Sequence, residues 1–79
     1  MGYEKYYNVG KIDVERARAG ILKAGGGENR EDRGSYVHIT VYLTSRSWRL
    51  SYDDYGNGDY RNVHSTTDKI FHLTYGGAF

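Results

Sequence analysis

The sequence predicts an α+β domain: a four- to five-stranded antiparallel sheet, a hairpin meander over residues ~36–75, with one helix over ~13–24 on one face. Three observations predict it. Val37, Ile39, Val41 and Leu43 alternate with Tyr36, His38, Thr40 and Tyr42, the period-2 pattern of a half-buried strand. Trp48, Leu50 and Tyr52 alternate in the same way with Arg49, Ser51 and Asp53. Gly56-Asn57-Gly58-Asp59 follows, and Asn-Gly is a strong hairpin signal because a type I′ turn needs positive φ at both central residues.

Taken in order, Tyr3 to Val9 reads as a first strand ended by Gly10. Asp13 is a suitable N-cap for the helix, Glu15 lies in its first turn, and Ile12 is positioned to staple onto Ala17. Val14, Ala17, Ile21 and Ala24 recur at helical spacing, Leu22 widens the stripe, and Lys23 suits the C-terminal dipole. Gly25 supplies the stop, while Gly20 inside the helix implies close packing or a short helix. Residues 25–34, three glycines and then mixed charge, read as a flexible loop. A phosphate loop is disfavoured there, because the glycines follow a helix and lack a Gly-Lys-Ser/Thr ending.

The hairpins imply a register. With Ser45-Arg46 as tip, Leu43 faces Trp48, Val41 faces Leu50 and Ile39 faces Tyr52; on the other face Tyr42 meets Arg49, Thr40 meets Ser51 and His38 meets Asp53. With Asn57-Gly58 as tip, Tyr52 faces Val63, Asp54 faces Arg61 and Ser51 faces His64. A further strand is expected through Ile70 to Tyr75, after a bulged connection at Ser65 to Asp68, with Phe71, Leu73 and Tyr75 on the apolar face.

Composition bounds the function. Seventy-nine residues make a single domain, 1–79, near the size where one core is barely sufficient. The absence of cysteine excludes disulfides, thiolate metal sites and a cysteine nucleophile, and points to a reducing cytoplasm. No signal-peptide pattern or membrane-length apolar run is present. A formal net charge of +1 creates no global field to attract a phosphate backbone. Nine tyrosines suit both strands and binding surfaces.

The face opposite the helix is the candidate site. His38, His64, Arg49 and Asp53 fall on it, the residue types that a metal-independent ribonuclease uses as base, acid, cation and orienting carboxylate. The same types are ordinary on a solvated sheet face, so the pattern supports a non-enzymatic reading more strongly. No metal-ligand or calcium-loop spacing occurs, and no cofactor is implied. The binding reading assigns partner contacts to Tyr36, Tyr42, Arg46, Arg49, Asp53, Asp54, Tyr55, Asp59, Tyr60 and Arg61. Tyrosine and arginine together stack on exposed bases or form protein interface hot spots. The interleaved acids Asp53, Asp54 and Asp59 oppose phosphate and favour a protein partner.

The segments Trp48 to Tyr52 and Ile70 to Tyr75 resemble the closing strands of small ribosome-dependent ribonuclease toxins, although the second long helix and dense Lys/Arg set of those proteins are missing. In overall style the chain resembles small phage-encoded anti-CRISPR proteins, which are short, cysteine-poor α+β domains. That resemblance implies an inhibitor docking on a larger protein or ribonucleoprotein, a Cas complex, in the cytoplasm of a bacterial host. The alternative is a single-stranded RNA-binding protein or ribonuclease using the open sheet face. Neither reading implies a membrane; either allows nucleic-acid contact, and the oligomeric state is open.

Overall fold

Alternation of aliphatic and polar residues makes β3 (Val37–Leu43) and β4 (Trp48–Asp54) the centre of an antiparallel sheet. The computed structural model describes residues 5–72, and the remaining elements are β1 (Lys5–Tyr6), α1 (Lys11–Lys23), β2 (Gly27–Asp32) and β5 (Tyr60–Ser65). Strand order is β1-β5-β4-β3-β2, and every pairing is antiparallel. The β3–β4 register is the expected one, from His38↔Asp53 to Leu43↔Trp48. Its connection is a four-residue loop: a 3-10 turn at Thr44–Arg46, then Ser47 in the left-handed region at φ 55°.

One face of this sheet and the helix enclose the core. Val14, Ala17 and Ile21 of α1 are fully buried together with Ile39, Val41, Leu50 and Ile70. Full burial of each aliphatic side chain contributes about 1.5–3 kcal/mol, so this contact dominates the stability of so short a chain. Gly20 is buried as well, which accounts for a glycine inside the helix by close packing. The helix begins at Lys11 with Gly10 as N-cap; Asp13 lies in the first turn and makes no capping bond. Ile12 is 58 % exposed, so the expected staple onto Ala17 does not form, and Ala24 is an exposed C-cap.

The expected flexible loop at 25–34 is corrected by the structure. Gly27–Asp32 is an edge strand paired with β3 from Gly27↔Tyr42 to Asp32↔Val37. Gly34-Ser35 closes the hairpin, with Gly34 at φ 89° and the Arg33 amide donating to the Tyr36 carbonyl. A two-residue loop with glycine first suits the right-handed twist of the strands. The three glycines are the helix-to-strand junction. Gly25 takes φ 98°, and a Cβ on Gly26 would collide with the Tyr42 carbonyl oxygen and with Ile21. A Cβ on Gly27 would strike the Tyr42 phenol ring.

Two other expectations change. The first strand is short, Lys5–Tyr6 against Ser65 and His64 of β5. Asp68–His72 is a 3-10 helix packed on α1, not the start of a strand. Ile70 and Phe71 are buried consecutively there, whereas a strand would send neighbours to opposite faces. The rest of the expected strand, 73–75, lies outside the described residues. Among the described residues no helix is long and apolar enough to cross a membrane.

Gly26→Ala is expected to lower stability by about 1–3 kcal/mol through overpacking, and Gly25→Ala by about 1 kcal/mol through left-handed strain. Urea titration should show both as a lower midpoint at unchanged slope.

Candidate functional site

The sheet face turned away from α1 carries His38, Thr40 and Tyr42 of β3, Arg49, Ser51 and Asp53 of β4, and Arg61 and His64 of β5. Among the described residues no helix covers it, since α1 packs on β2, β3 and the 3-10 helix Asp68–His72 from the other side. A β-bulge decides which β5 side chains reach this face. Ser51 pairs with His64, but Asp53 pairs with Arg61, so one residue of β4, Tyr52, is opposed by two of β5, Asn62 and Val63. The extra residue is Asn62, at φ 54°. Asparagine tolerates this conformation better than most residues, and a bulge re-aims the side chains beyond it.

The expected pair Asp54↔Arg61 is therefore replaced by Asp54↔Tyr60 and Asp53↔Arg61. The Asn57-Gly58 turn is where it was expected, but one extra residue separates tip and strand, and the bulge restores the anticipated register only at Ser51↔His64. Arg61 moves to the open face. Tyr60 moves to the helix side, edge-on to Tyr52 at 5.1 Å, and its hydroxyl donates to Glu15 at 2.8 Å. Burial, and then the bond to Glu15, push the Tyr60 phenol up to about 12.

Asp53 is the polar centre of the open face and is only 8 % exposed. Its Oδ1 accepts from His38 Nδ1 at 2.7 Å and its Oδ2 accepts from Asn62 Nδ2 at 2.9 Å. Burial alone would raise its pKa; the hydrogen bonds from His38 and Asn62 and the charge on His38 outweigh that and hold it below the usual carboxylate range. His64 Nδ1 donates to the Asn62 carbonyl at 2.9 Å, so the bulge residue holds both Asp53 and His64. Sequence reasoning missed Asn62; an asparagine just after an Asn-Gly turn was its one available signal.

At the β4–β5 tip, side chains form a stack. The Arg61 guanidinium lies 4.1 Å over the Tyr55 ring, and Tyr55 stacks on Tyr36 at 4.9 Å and 24°. Asp59 grips the same guanidinium through two hydrogen bonds, at 3.2 and 2.9 Å, and its own pKa is lowered by that contact. At the opposite end Arg46 lies 5.2 Å over Trp48, beside a cleft of about 440 Å³ lined by Tyr42, Ser47, Trp48, Arg49 and Thr66.

The predicted contact residues thus divide. Tyr36, Tyr55, Asp59 and Arg61 meet at one end; Tyr42, Arg46 and Arg49 lie at the other, with Asp53 between. Asp54 and Tyr60 belong to the helix side, in a second cleft of about 350 Å³ with Glu15, Arg18 and Arg30. Of the residues expected for ribonuclease chemistry, His38 and Asp53 are in direct contact. His38 and His64 are on strands separated by β4 and offset along it by two residues, which sets their Cα atoms about 12 Å apart. Neither cleft includes either histidine. Among the described residues no group of three or more His, Asp or Glu could hold a metal.

Comparison with family models, curated proteins and solved structures finds no significant match to this chain.

Asp53→Ala should destabilise the fold by about 1–3 kcal/mol, because His38 and Asn62 lose their acceptor. The sign of the pH dependence follows from the lowered pKa: the Asp53 contribution is present above its ordinary value of 3.8 and is lost as pH falls through the folded value. Thermal melts across acid pH should show the gap between wild type and Asp53→Ala closing.

Proposed function

We propose that this chain is a non-enzymatic binding protein that docks its open sheet face on a larger protein or ribonucleoprotein. The observation that carries this reading is the Arg61–Tyr55–Tyr36 stack. Side chains locked against one another before binding have little rotamer entropy left to lose, and arginine and tyrosine are enriched among interface hot spots. The Tyr55 ring is covered by Arg61 on one face and by Tyr36 on the other. It therefore offers edges and a hydroxyl rather than a bare platform for a base, which favours a protein surface over single-stranded nucleic acid.

Catalysis is less well supported. A base and an acid acting on one phosphodiester must both come within hydrogen-bond reach of it in a shaped site, whereas His38 Nδ1 is engaged by Asp53, His64 Nδ1 by the Asn62 carbonyl, and neither histidine lines either of the two clefts. The most concrete form of the binding reading is an anti-CRISPR-like inhibitor, a phage protein that blocks nucleic-acid access or nuclease recruitment on a Cas complex in the bacterial cytoplasm. Its support is the small α+β build, with no catalytic constellation assembled among the described residues.

RNA binding is the second reading, and one observation favours it. Asp54 faces the helix side, Asp53 is buried between His38 and Asn62, and Asp59 is paired with Arg61, so the acids expected to repel phosphate are withdrawn or neutralised.

Immobilised wild-type protein should retain a stoichiometric complex from bacterial lysate, and Tyr55→Ala with Arg61→Ala should weaken its binding at least tenfold, about 1.4 kcal/mol. Retention of RNA alone, lost with rising salt, would replace this reading by the second. RNA cleavage with a bell-shaped pH profile abolished by His38→Ala would overturn the non-enzymatic assignment.

A further inference from the structure

The outer edge of β2 has a pattern that neither the open face nor the core uses. Among the described residues no strand pairs with that edge, and Asn29 to Asp32 are exposed. Its backbone phase can be read from the hairpin. The Arg33 amide donates to the Tyr36 carbonyl, so Arg33 and Tyr36 form a hydrogen-bonded pair. Hydrogen-bonded pairs alternate along an antiparallel ladder, so Glu31, Asn29 and Gly27 also direct their amides and carbonyls to β3. Glu28, Arg30 and Asp32 direct theirs outward.

A second copy can pair with this edge through a two-fold axis perpendicular to the sheet. That axis keeps both helices on the same side and sets outward-directed residues opposite one another. Side-chain charge then separates the registers. Centring on Arg30 sets Arg30 opposite itself and Glu28 opposite Asp32, all like charges. Centring on Glu31 gives two Arg30–Asp32 pairs but sets Glu31 against itself. Centring on Asn29 gives two Glu28–Arg30 pairs across the axis and no like-charge pair within the strand. In this last register the Glu28 carboxylate is already positioned, since Arg18 grips it at 3.0 and 3.1 Å and Arg30 of the same copy approaches at 3.2 Å.

We propose that β2 is a self-association edge: two copies pair antiparallel about Asn29, joining their sheets, with Glu28 of each copy opposite Arg30 of the other. The interface is small and polar, so the dimer is a weak one, with a dissociation constant on the order of 100 µM.

Sedimentation velocity over a concentration series bracketing that value tests it. Wild type should pass from monomer to dimer. Arg30→Pro removes an outward amide while leaving the β2–β3 ladder intact, and should abolish the dimer with far-UV circular dichroism unchanged. Arg30→Glu keeps the backbone whole but sets two pairs of like charges across the axis, and should weaken association about tenfold. Wild type that remains monomeric throughout, or an Arg30→Glu variant that associates as wild type does, overturns the proposal. Association that survives both substitutions assigns the contact to another surface.

Discussion

The pairing of β3 with β4 is the constraint on which the other features depend. Both strands alternate strictly, so their register determines the contents of each face at once. A slip by one residue would move Ile39, Val41 and Leu43 out from beneath α1 and bring His38, Thr40 and Tyr42 in. Burying each aliphatic contributes about 1.5–3 kcal/mol, whereas burying an unpaired polar group costs about as much again. No alternative packing of α1 recovers that loss. The helix, the 3-10 turn with Ile70 and Phe71, and β5 all pack against a surface already set by this pair.

The bulge at Asn62 converts a meander into a sheet with two chemically distinct ends. Without it Arg61 would lie opposite Asp54 beneath the helix, and Tyr55 would have no cation above its ring. With it, one residue in a left-handed conformation delivers a guanidinium to the open face, a phenol to the helix side and an amide to Asp53. Together with the extra residue at the tip, this backbone irregularity accounts for the Arg61 stack, the Tyr60–Glu15 contact and the second partner of the buried carboxylate.

The parts legible in the sequence were those that bury apolar side chains at a regular period. The alternation through Val37 to Leu43 and Trp48 to Tyr52 specified strands, register and faces, and Val14, Ala17 and Ile21 specified the buried stripe of the helix. Strand β2 was hidden because an edge strand with little burial carries no hydrophobic alternation; Gly34-Ser35 was its only mark. Ile70 and Phe71 resembled part of a strand because periodicity cannot distinguish one from a buried 3-10 turn over so few residues. In the site, the His38–Asp53 pair followed from the register. The Tyr36–Tyr55–Arg61 stack did not, because it needs the extra residue in β5, and a turn containing Gly56, Asn57 and Gly58 can close with either two or three residues at its tip.

The nearest-neighbour order β2-β3-β4-β5 also bears on how the chain reaches this state. Each of these pairings joins segments adjacent in sequence, so loop closure is inexpensive and the hairpins can form rapidly and locally. The pairing of β1 with β5 is different, joining Lys5 to Ser65 across nearly the whole chain. The entropy of closing that long circuit is concentrated in a two-residue strand, which suits β1 to docking after the meander and helix have condensed. With no proline in the chain, no prolyl isomerisation is available to delay that final step.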